Sequence, residues 1–253
     1  FQAPKFQTMD WSSVRCFVWG GSAAPERMVR VLDGLRAQTG ATLMTGYGST
    51  ELCGFCTYSA PEDDDDRLIK SAGRLVSPFD VRVVDEARQP VPSGTVGEIA
   101  VRGPIVMRGY LNNPTATAEV IDGDGWYYTR DMGWLDDAGY LYITGRASEM
   151  YKTGGENVFP REIEDVLERH PGVLFAAVVG VADELYDEVG HAFVMPKPGQ
   201  QLGEEALRSY CRSHLANFKV PKQFTMRPHL PLLPNGKVDK MALRAELSNS
   251  GTL

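Results

Sequence analysis

Two short runs of this sequence join glycines to side chains that can do chemistry. Ala41 to Met44 is apolar and leads straight into Gly46-Tyr47-Gly48-Ser49-Thr50-Glu51. A strand feeding a glycine-containing loop is the usual place for an α/β sheet to hold a nucleotide. Far downstream, Pro234-Asn235-Gly236-Lys237-Val238 sets a lysine directly after a turn-forming pair. Each run also has a plain reading: an ordinary glycine loop with Glu51 as a capping acid, and a solvated turn lysine. Cys53-Gly54-Phe55-Cys56 has C-x-x-C spacing, but redox or zinc chemistry needs a thioredoxin-like βαβ context or a second ligand pair. His170, His191, His214 and His229 are scattered, so the sequence supplies neither.

The elements that would position these runs follow from periodicity. Residues 25–39 read as a helix, with Pro25 in the first turn, Met28, Val31, Leu32 and Leu35 on one face, and Gly40 as the stop. From about 78 to 145 short β-type runs appear: Phe79 to Val84, Glu98 to Arg102 and Tyr140 to Thr144. Glycines, prolines and the turn at Asp122 to Gly125 separate them, which suggests an antiparallel, barrel-like subdomain. After Gly145-Arg146 the texture changes again. Helices are expected at 160–170, Glu204 to Leu215 and Asp239 to Leu247, with an apolar strand from Leu174 to Val181. That pattern implies a separate small α+β domain, with its boundary near 146–149.

Bulk composition narrows the class. The chain has 253 residues, 43% hydrophobic and 23% charged, enough for one large domain or two smaller ones. A net charge of −7 without a Lys/Arg block leaves no electrostatic footprint for nucleic acid. The acidic run from Glu62 to Asp66 reads as a solvated loop. No stretch approaches the roughly 20 apolar residues of a membrane span. The first residues do not read as a secretory leader. Four cysteines are too few for a disulfide framework, so a reducing, cytoplasmic setting is expected.

Order and spacing add what single motifs lack. Five segments follow one another: Tyr47 to Glu51; Gly97-Glu98-Ile99 with Arg102-Gly103-Pro104; Tyr128-Thr129-Arg130-Asp131; Gly145-Arg146 leading to Lys152-Thr153-Gly154-Gly155-Glu156-Asn157-Val158; and Pro234 to Val238. The series resembles the adenylate-forming (AMP-binding) superfamily, in its acyl- and aryl-CoA synthetase branch, from about Gly20 to Leu247. The resemblance implies α/β and α+β architecture. Residues 1–77 would be the end of the large N-terminal nucleotide- and acid-binding domain, and 78–145 its barrel-like subdomain. Residues 146–149 would be a hinge, with Ser148 where relatives carry Asp or Lys, and 150–253 a mobile C-terminal domain.

The implied reaction joins a carboxylic acid to ATP, giving an acyl-adenylate, which CoA then converts to a thioester. In that scheme Gly46, Tyr47, Gly48 and Ser49 border the nucleotide, and Tyr47 offers its ring to adenine. Thr50 meets a phosphate oxygen, and Glu51 holds Mg²⁺. Asp131 accepts from the ribose hydroxyls, although Arg130 stands where a glycine is more usual, and Arg146 contacts ribose and phosphate. Lys237 stabilises charge at the α-phosphate. Lys152, Gly154 and Gly155 serve the second half-reaction, the glycines leaving room for the CoA pantetheine arm.

Gly20, Gly21, Ser22, Cys53 and Phe55 fall where relatives line the acid pocket. Core packing remains equally open for each of them, and they indicate an apolar acid, aromatic or medium-chain. The Gly/Ser/Thr-rich phosphate loop of relatives is not found here. The chain is therefore expected to lack an N-terminal portion of the same enzyme and not to adenylate alone. Two alternatives stay open: an adenylation protein loading a separate carrier, and a non-catalytic nucleotide- or acyl-CoA-binding protein.

Overall fold

Strand β1 (Cys16–Gly20) pairs in parallel with β2 (Thr42–Gly46), and helix α1 (Glu26–Thr39) connects them. The computed structural model describes residues 5–21, 26–234 and 236–249; the expected helix start at Pro25 lies outside them. The buried face of α1 is Val29, Leu32 and Leu35, packed with Leu43 and Leu68. Val31, expected on that face, is exposed. Met28, Leu32 and Leu35 face the core as expected, and Val29 takes the place given to Val31, because positions three and four apart share one side of a helix.

After β2 the chain folds back on itself. Short strands β3 (Gly48–Ser49) and β4 (Gly54–Phe55) pair around a 3-10 turn, Thr50–Leu52. Strand β5 (Thr57–Tyr58) follows, then helix α2 (Asp65–Lys70) and strand β6 (Arg74–Leu75), which pairs with β5. The acidic run is therefore a loop only as far as Asp64, and Asp65 and Asp66 begin α2. Asp64 caps α2 by accepting from Arg67 N at 2.9 Å, which satisfies an otherwise unpaired helix N–H. Asp63 is buried and accepts from Ala60 N at 2.7 Å and from the Tyr140 hydroxyl.

Strands β7 (Asp80–Val84), β8 (Gly97–Arg102), β9 (Tyr127–Leu135) and β10 (Leu141–Arg146) form a four-stranded sheet in the order β10-β9-β8-β7. Helix α3 (Pro114–Val120), capped by Asn113, precedes β9. This sheet shares a core with the β3–β5 region, through Tyr47, Leu52 and Cys56 against Phe79, Ile99, Tyr127 and Leu141. By spatial grouping Phe1–Ile143 is one compact unit and Thr144–Leu253 another. The division falls inside β10, just ahead of the expected 146–149 segment.

One irregularity in β9 bears on the site. The β8–β9 register shifts between Glu98 and Ala100, and Arg130 on the bulged strand has φ +60°. Its backbone N–H donates to Glu98 Oε1 at 2.8 Å, and its guanidinium reaches Glu119 at 3.0 Å. A left-handed non-glycine residue is unusual, and a bulge is where the chain tolerates one.

In the second unit the hairpin of β13 (Val173–Asp183) and β14 (Asp187–Pro196) is the centre. Its sheet also holds β11 (Tyr151–Thr153), β12 (Glu156–Val158) and β15 (Gln223–Met226). Helices α4 (Pro160–Arg169) and α5 (Glu204–Arg212) contribute Ile163, Leu167, Leu207 and Cys211 to a core that includes Val178 and Val194. Helix α6 (Lys240–Asn249) contributes Leu243 and Leu247 to another, with Val179 and Phe193. The α5 helix stops three residues before the expected Leu215, where Ser213 Oγ donates back to Tyr210 O at 2.8 Å. Asp239 is the cap of α6 and not its first turn, accepting from Ala242 N at 3.0 Å.

Two outcomes follow. Arg130→Gly should change stability by less than about 1 kcal/mol, because relief of the left-handed conformation offsets added chain entropy. Arg130→Val should cost about 1–3 kcal/mol. Urea denaturation reads both, and equal effects would show that the bulge imposes no backbone demand. On α4, burial pushes the Glu168 carboxyl up to about 7, with Arg161 opposing. A folded-state value above the unfolded one means that the native state holds the extra proton. Its contribution to stability is therefore lost as pH rises from about 4.5 through 7. Glu168→Gln should gain stability relative to the parent between pH 5 and pH 8; thermal melts that stay parallel over that range would contradict this.

Candidate functional site

Close backbone approach builds the first part of the site. A Cβ added at Gly46 would lie 2.3 Å from Thr57 O, and one at Gly48 would lie 1.9 Å from Gly54 O. Both glycines are required by the chain's own fold-back, before any ligand is considered. Gly20 is similar: its Cβ would meet Phe55 Cζ at 2.3 Å, so Phe55 packs over the paired Gly20 and Gly46.

That fold-back groups three tyrosines with two carboxylates. Tyr47 is buried, and its hydroxyl donates to Asp131 Oδ2 at 2.6 Å. Burial, then the neighbouring Asp131 charge, raises the Tyr47 pKa, so it remains a donor. The ring expected to be offered to adenine is thus largely enclosed in the core, while the hydroxyl orients Asp131. Asp131 is itself buried, and its backbone N–H donates to Thr129 Oγ1 at 3.1 Å beside the Arg130 bulge. Glu51 stands half-buried in the 3-10 turn, accepting from the Tyr110 hydroxyl at 3.1 Å. Its backbone carbonyl accepts from Met107 N at 2.7 Å. Tyr127 feels both carboxylates; burial first, then Glu51, raises its pKa.

Tyr110 and Tyr127 were not singled out in the sequence. Tyr127 could have been found, since it precedes Asp131 by four residues on one strand. Tyr110 carried no signal, because only folding brings it to Glu51. Thr50 is exposed and Ser49 pairs with Gly54. Cys53 is exposed in a left-handed conformation, φ +52°, and Gly21 is exposed at φ +79°. Ser22 lies outside the described residues. Cys56 is buried and burial pushes its thiol up to about 12, which suits a packing residue and not a reactive thiolate.

The second unit carries the remaining residues. Arg146 and Ser148 are exposed at the turn that ends β10, where Glu149 N and Met150 N both donate to Arg146 O. Gly154 (φ +58°) and Gly155 (φ +87°) form the two-residue link between β11 and β12. Two successive positive φ angles are the demand of a type I′ turn, which glycines meet without strain. Lys152 is exposed on β11. Beside this turn lies a groove of about 460 Å³, lined by Gly154, Tyr186, Phe218 and Lys222 among others. Lys222 Nζ sits 4.4 Å from the centre of the Tyr186 ring. Lys237 is exposed on a loop closed by Leu233 N to Lys237 O at 2.7 Å and Asp239 N to Pro231 O at 2.8 Å. Asn235 lies outside the described residues.

Among the described residues no group of three or more His, Cys, Asp or Glu side chains could hold a metal, and no helix is long and apolar enough to cross a membrane. The AMP-binding enzyme family matches residues 1–111, and the AMP-binding enzyme C-terminal domain matches residues 162–237. The chain belongs to this adenylate-forming family. Curated relatives similar to it include a medium-chain fatty-acid–CoA ligase of Escherichia coli, 36% identical over 95% of this chain and 42% of its own length.

A 3-[(3aS,4S,7aS)-7a-methyl-1,5-dioxo-octahydro-1H-inden-4-yl]propanoyl:CoA ligase of Rhodococcus jostii is 41% identical over 96% of this chain and 44% of its own length. Among solved structures, the amide bond synthetase McbA of Marinactinospora thermotolerans matches with a TM-score of 0.86 at 35% identity, over 97% of this chain and 50% of that one. The o-succinylbenzoate CoA synthetase of Bacillus subtilis, in complex with an acyl-adenylate intermediate, matches with a TM-score of 0.82 at 32% identity, over 93% and 46%. The chain thus spans about half the length of the curated relatives it matches.

Tyr47→Phe should lower the stability of the chain by about 1.5–3 kcal/mol, the usual worth of a hydrogen bond to a charged group. Denaturation in urea measures it; a loss under about 0.5 kcal/mol would mean that the hydroxyl does not hold Asp131.

Proposed function

We propose that this chain is the C-terminal part of a cytoplasmic acid–CoA ligase, which activates a carboxylic acid as its acyl-adenylate and passes the acyl group to CoA. The observation that carries this reading is the buried Tyr47–Asp131 hydrogen bond, 2.6 Å, with Glu51 in the same cluster of tyrosines. A buried carboxylate oriented by a phenol is suited to accept from ribose hydroxyls. Thr50, exposed at the start of the same turn, offers a hydroxyl to phosphate. Arg146 meets the sugar and α-phosphate from the turn after β10.

Magnesium fits this arrangement. Glu51, half-buried with its carboxylate oriented by Tyr110, would supply one hard oxygen ligand to an ion shared with substrate phosphates. Bound there with Glu51, it would neutralise charge on the departing pyrophosphate. Lys237 brings its ammonium to the oxygens around the α-phosphorus as the substrate carboxylate attacks. Charge grows there in the transition state, so a cation fixed at that point lowers the barrier. Gly20, Gly21, Cys53 and Phe55 border the acid, and the Phe55 ring over Gly20 favours an apolar, aromatic or medium-chain acyl group.

For the second step the small unit turns about the segment containing Ser148 and presents the Gly154–Gly155 face with Lys152. The groove beside that face carries Tyr186, Phe218 and Lys222. Two aromatic rings and a lysine suit the adenine and phosphates of CoA. A competing reading has the adenylate captured by an amine, and the likeness to an amide bond synthetase favours testing it.

The experiment uses the full-length enzyme. ATP–pyrophosphate exchange should appear with aromatic or medium-chain acids and vanish in Lys237→Ala, while thioester formation from supplied acyl-adenylate survives. CoA, a pantetheinylated carrier and simple amines, offered side by side, identify the acceptor. Exchange at the parental rate in Lys237→Ala would remove the assignment.

A further inference from the structure

Three side chains of the second unit form an ion cluster that the reaction scheme does not use. Lys240, the first residue of α6, reaches Glu149 Oε2 at 2.5 Å and Glu164 Oε1 at 2.8 Å. Glu164 retains only 7% side-chain exposure and Lys240 only 20%. Glu164 also accepts from Val178 N at 2.8 Å, which fixes it to β13. A partly buried lysine between two carboxylates is costly to assemble unless every charge is paired, and here each one is.

What matters is where the three residues lie. Lys240 follows Lys237 by three positions, across a segment closed at both ends. Leu232 and Val238 bridge, Asp239 N donates to Pro231 O, and Asp239 caps α6. Val238 and Leu230 pack beside Leu243 and Phe193. Glu149 belongs to the turn of Arg146 and Ser148, its N–H donating to Arg146 O at 3.1 Å. The cluster therefore ties the Lys237 loop, the start of the small unit and its central hairpin to one another.

We propose that Lys240 is a positioning residue: with Glu149 and Glu164 it locks the Lys237 loop to the turn bearing Ser148, so that loop and turn move as one piece. This rests on the assignment of Lys237 to adenylation. Without the lock, the small unit still turns but delivers the Lys237 ammonium over a spread of positions. Errors of about 1 Å at a reacting centre cost about 100-fold in rate. Thioester formation uses another face of the unit and is spared.

The test uses the full-length enzyme with two changes. Glu149→Gln cuts one arm and leaves Lys240 paired with Glu164. The combination Lys240→Met, Glu149→Gln, Glu164→Gln removes all three charges together, so that none is left buried alone. Both should melt within about 5 °C of the parent. The triple variant should lose about 10–100-fold in kcat for pyrophosphate exchange, with KM for ATP and thioester formation from supplied adenylate each within about threefold. Glu149→Gln should shift the same way by less, and Lys240→Arg should restore most of the rate.

Amide exchange gives a readout that needs no activity. The Leu233 and Gly236 amides, bonded to Lys237 O and Leu233 O, should exchange about tenfold faster in the triple variant. If the parent releases no pyrophosphate with any acid, the ligase reading fails and the exchange rates alone decide on the lock. Unchanged exchange, or a folded triple variant that adenylates within about twofold of the parent, overturns the proposal.

Discussion

The first unit depends on how tightly the chain can press against itself after β2. Gly46 and Gly48 bring the 47–57 segment so close to Thr57 O and Gly54 O that no Cβ fits. Only because of that contact do Tyr47, Thr50 and Glu51 emerge at the end of a strand pair, beside β9. The buried phenol then meets the Asp131 carboxylate and the 3-10 turn meets Tyr110. A methyl group at either glycine would push the hairpin away from its sheet, and the cluster would lose its geometry before any ligand arrived.

The second unit solves a different problem. A short loop carrying one exposed lysine has no core of its own, so its position must be borrowed. Hydrogen bonds close the loop at its base, apolar residues anchor its flanks, and α6 continues from it. The Gly154–Gly155 turn is held by its backbone: Gly154 N donates to Tyr186 O at 2.9 Å, and a side chain at Gly155 would meet nothing within 4 Å. One segment is thus anchored by apolar flanks, the other by backbone conformation and a hydrogen bond.

Much of this was legible beforehand where the local signal and the tertiary answer agree. The helix expected at 160–170 shows the 3.6-residue period and a Pro start, and it forms over Pro160–Arg169 with His170 as its cap. The strand at Val173–Asp183 is continuous and apolar, and it forms with slightly wider bounds. Its partner β14 was not read, because Gly190 and His191 interrupt its apolar run although both are buried against Tyr151 and Thr225. On α1 Met28, Leu32 and Leu35 were read correctly and Val31 stood in for Val29, since the two valines are chemically alike and only packing distinguishes them. The acidic run concealed a helix, because a cap and a solvated loop share the same residues. Tyr110 lies 59 positions from Glu51, and no local pattern encodes such a meeting.

Arg130 carries a lesson about what is being preserved in this strand. The backbone there takes a left-handed turn with an arginine, held by Glu98 and Glu119, at a place where the family more usually has glycine. In this chain Glu98 and Glu119 hold the arginine in that turn, and the turn sets the direction of the next carboxylate, Asp131. A search keyed to the letter G at that position would pass over proteins such as this one, whereas a search keyed to the backbone angle and the carboxylate that accepts from that residue's N–H would find them.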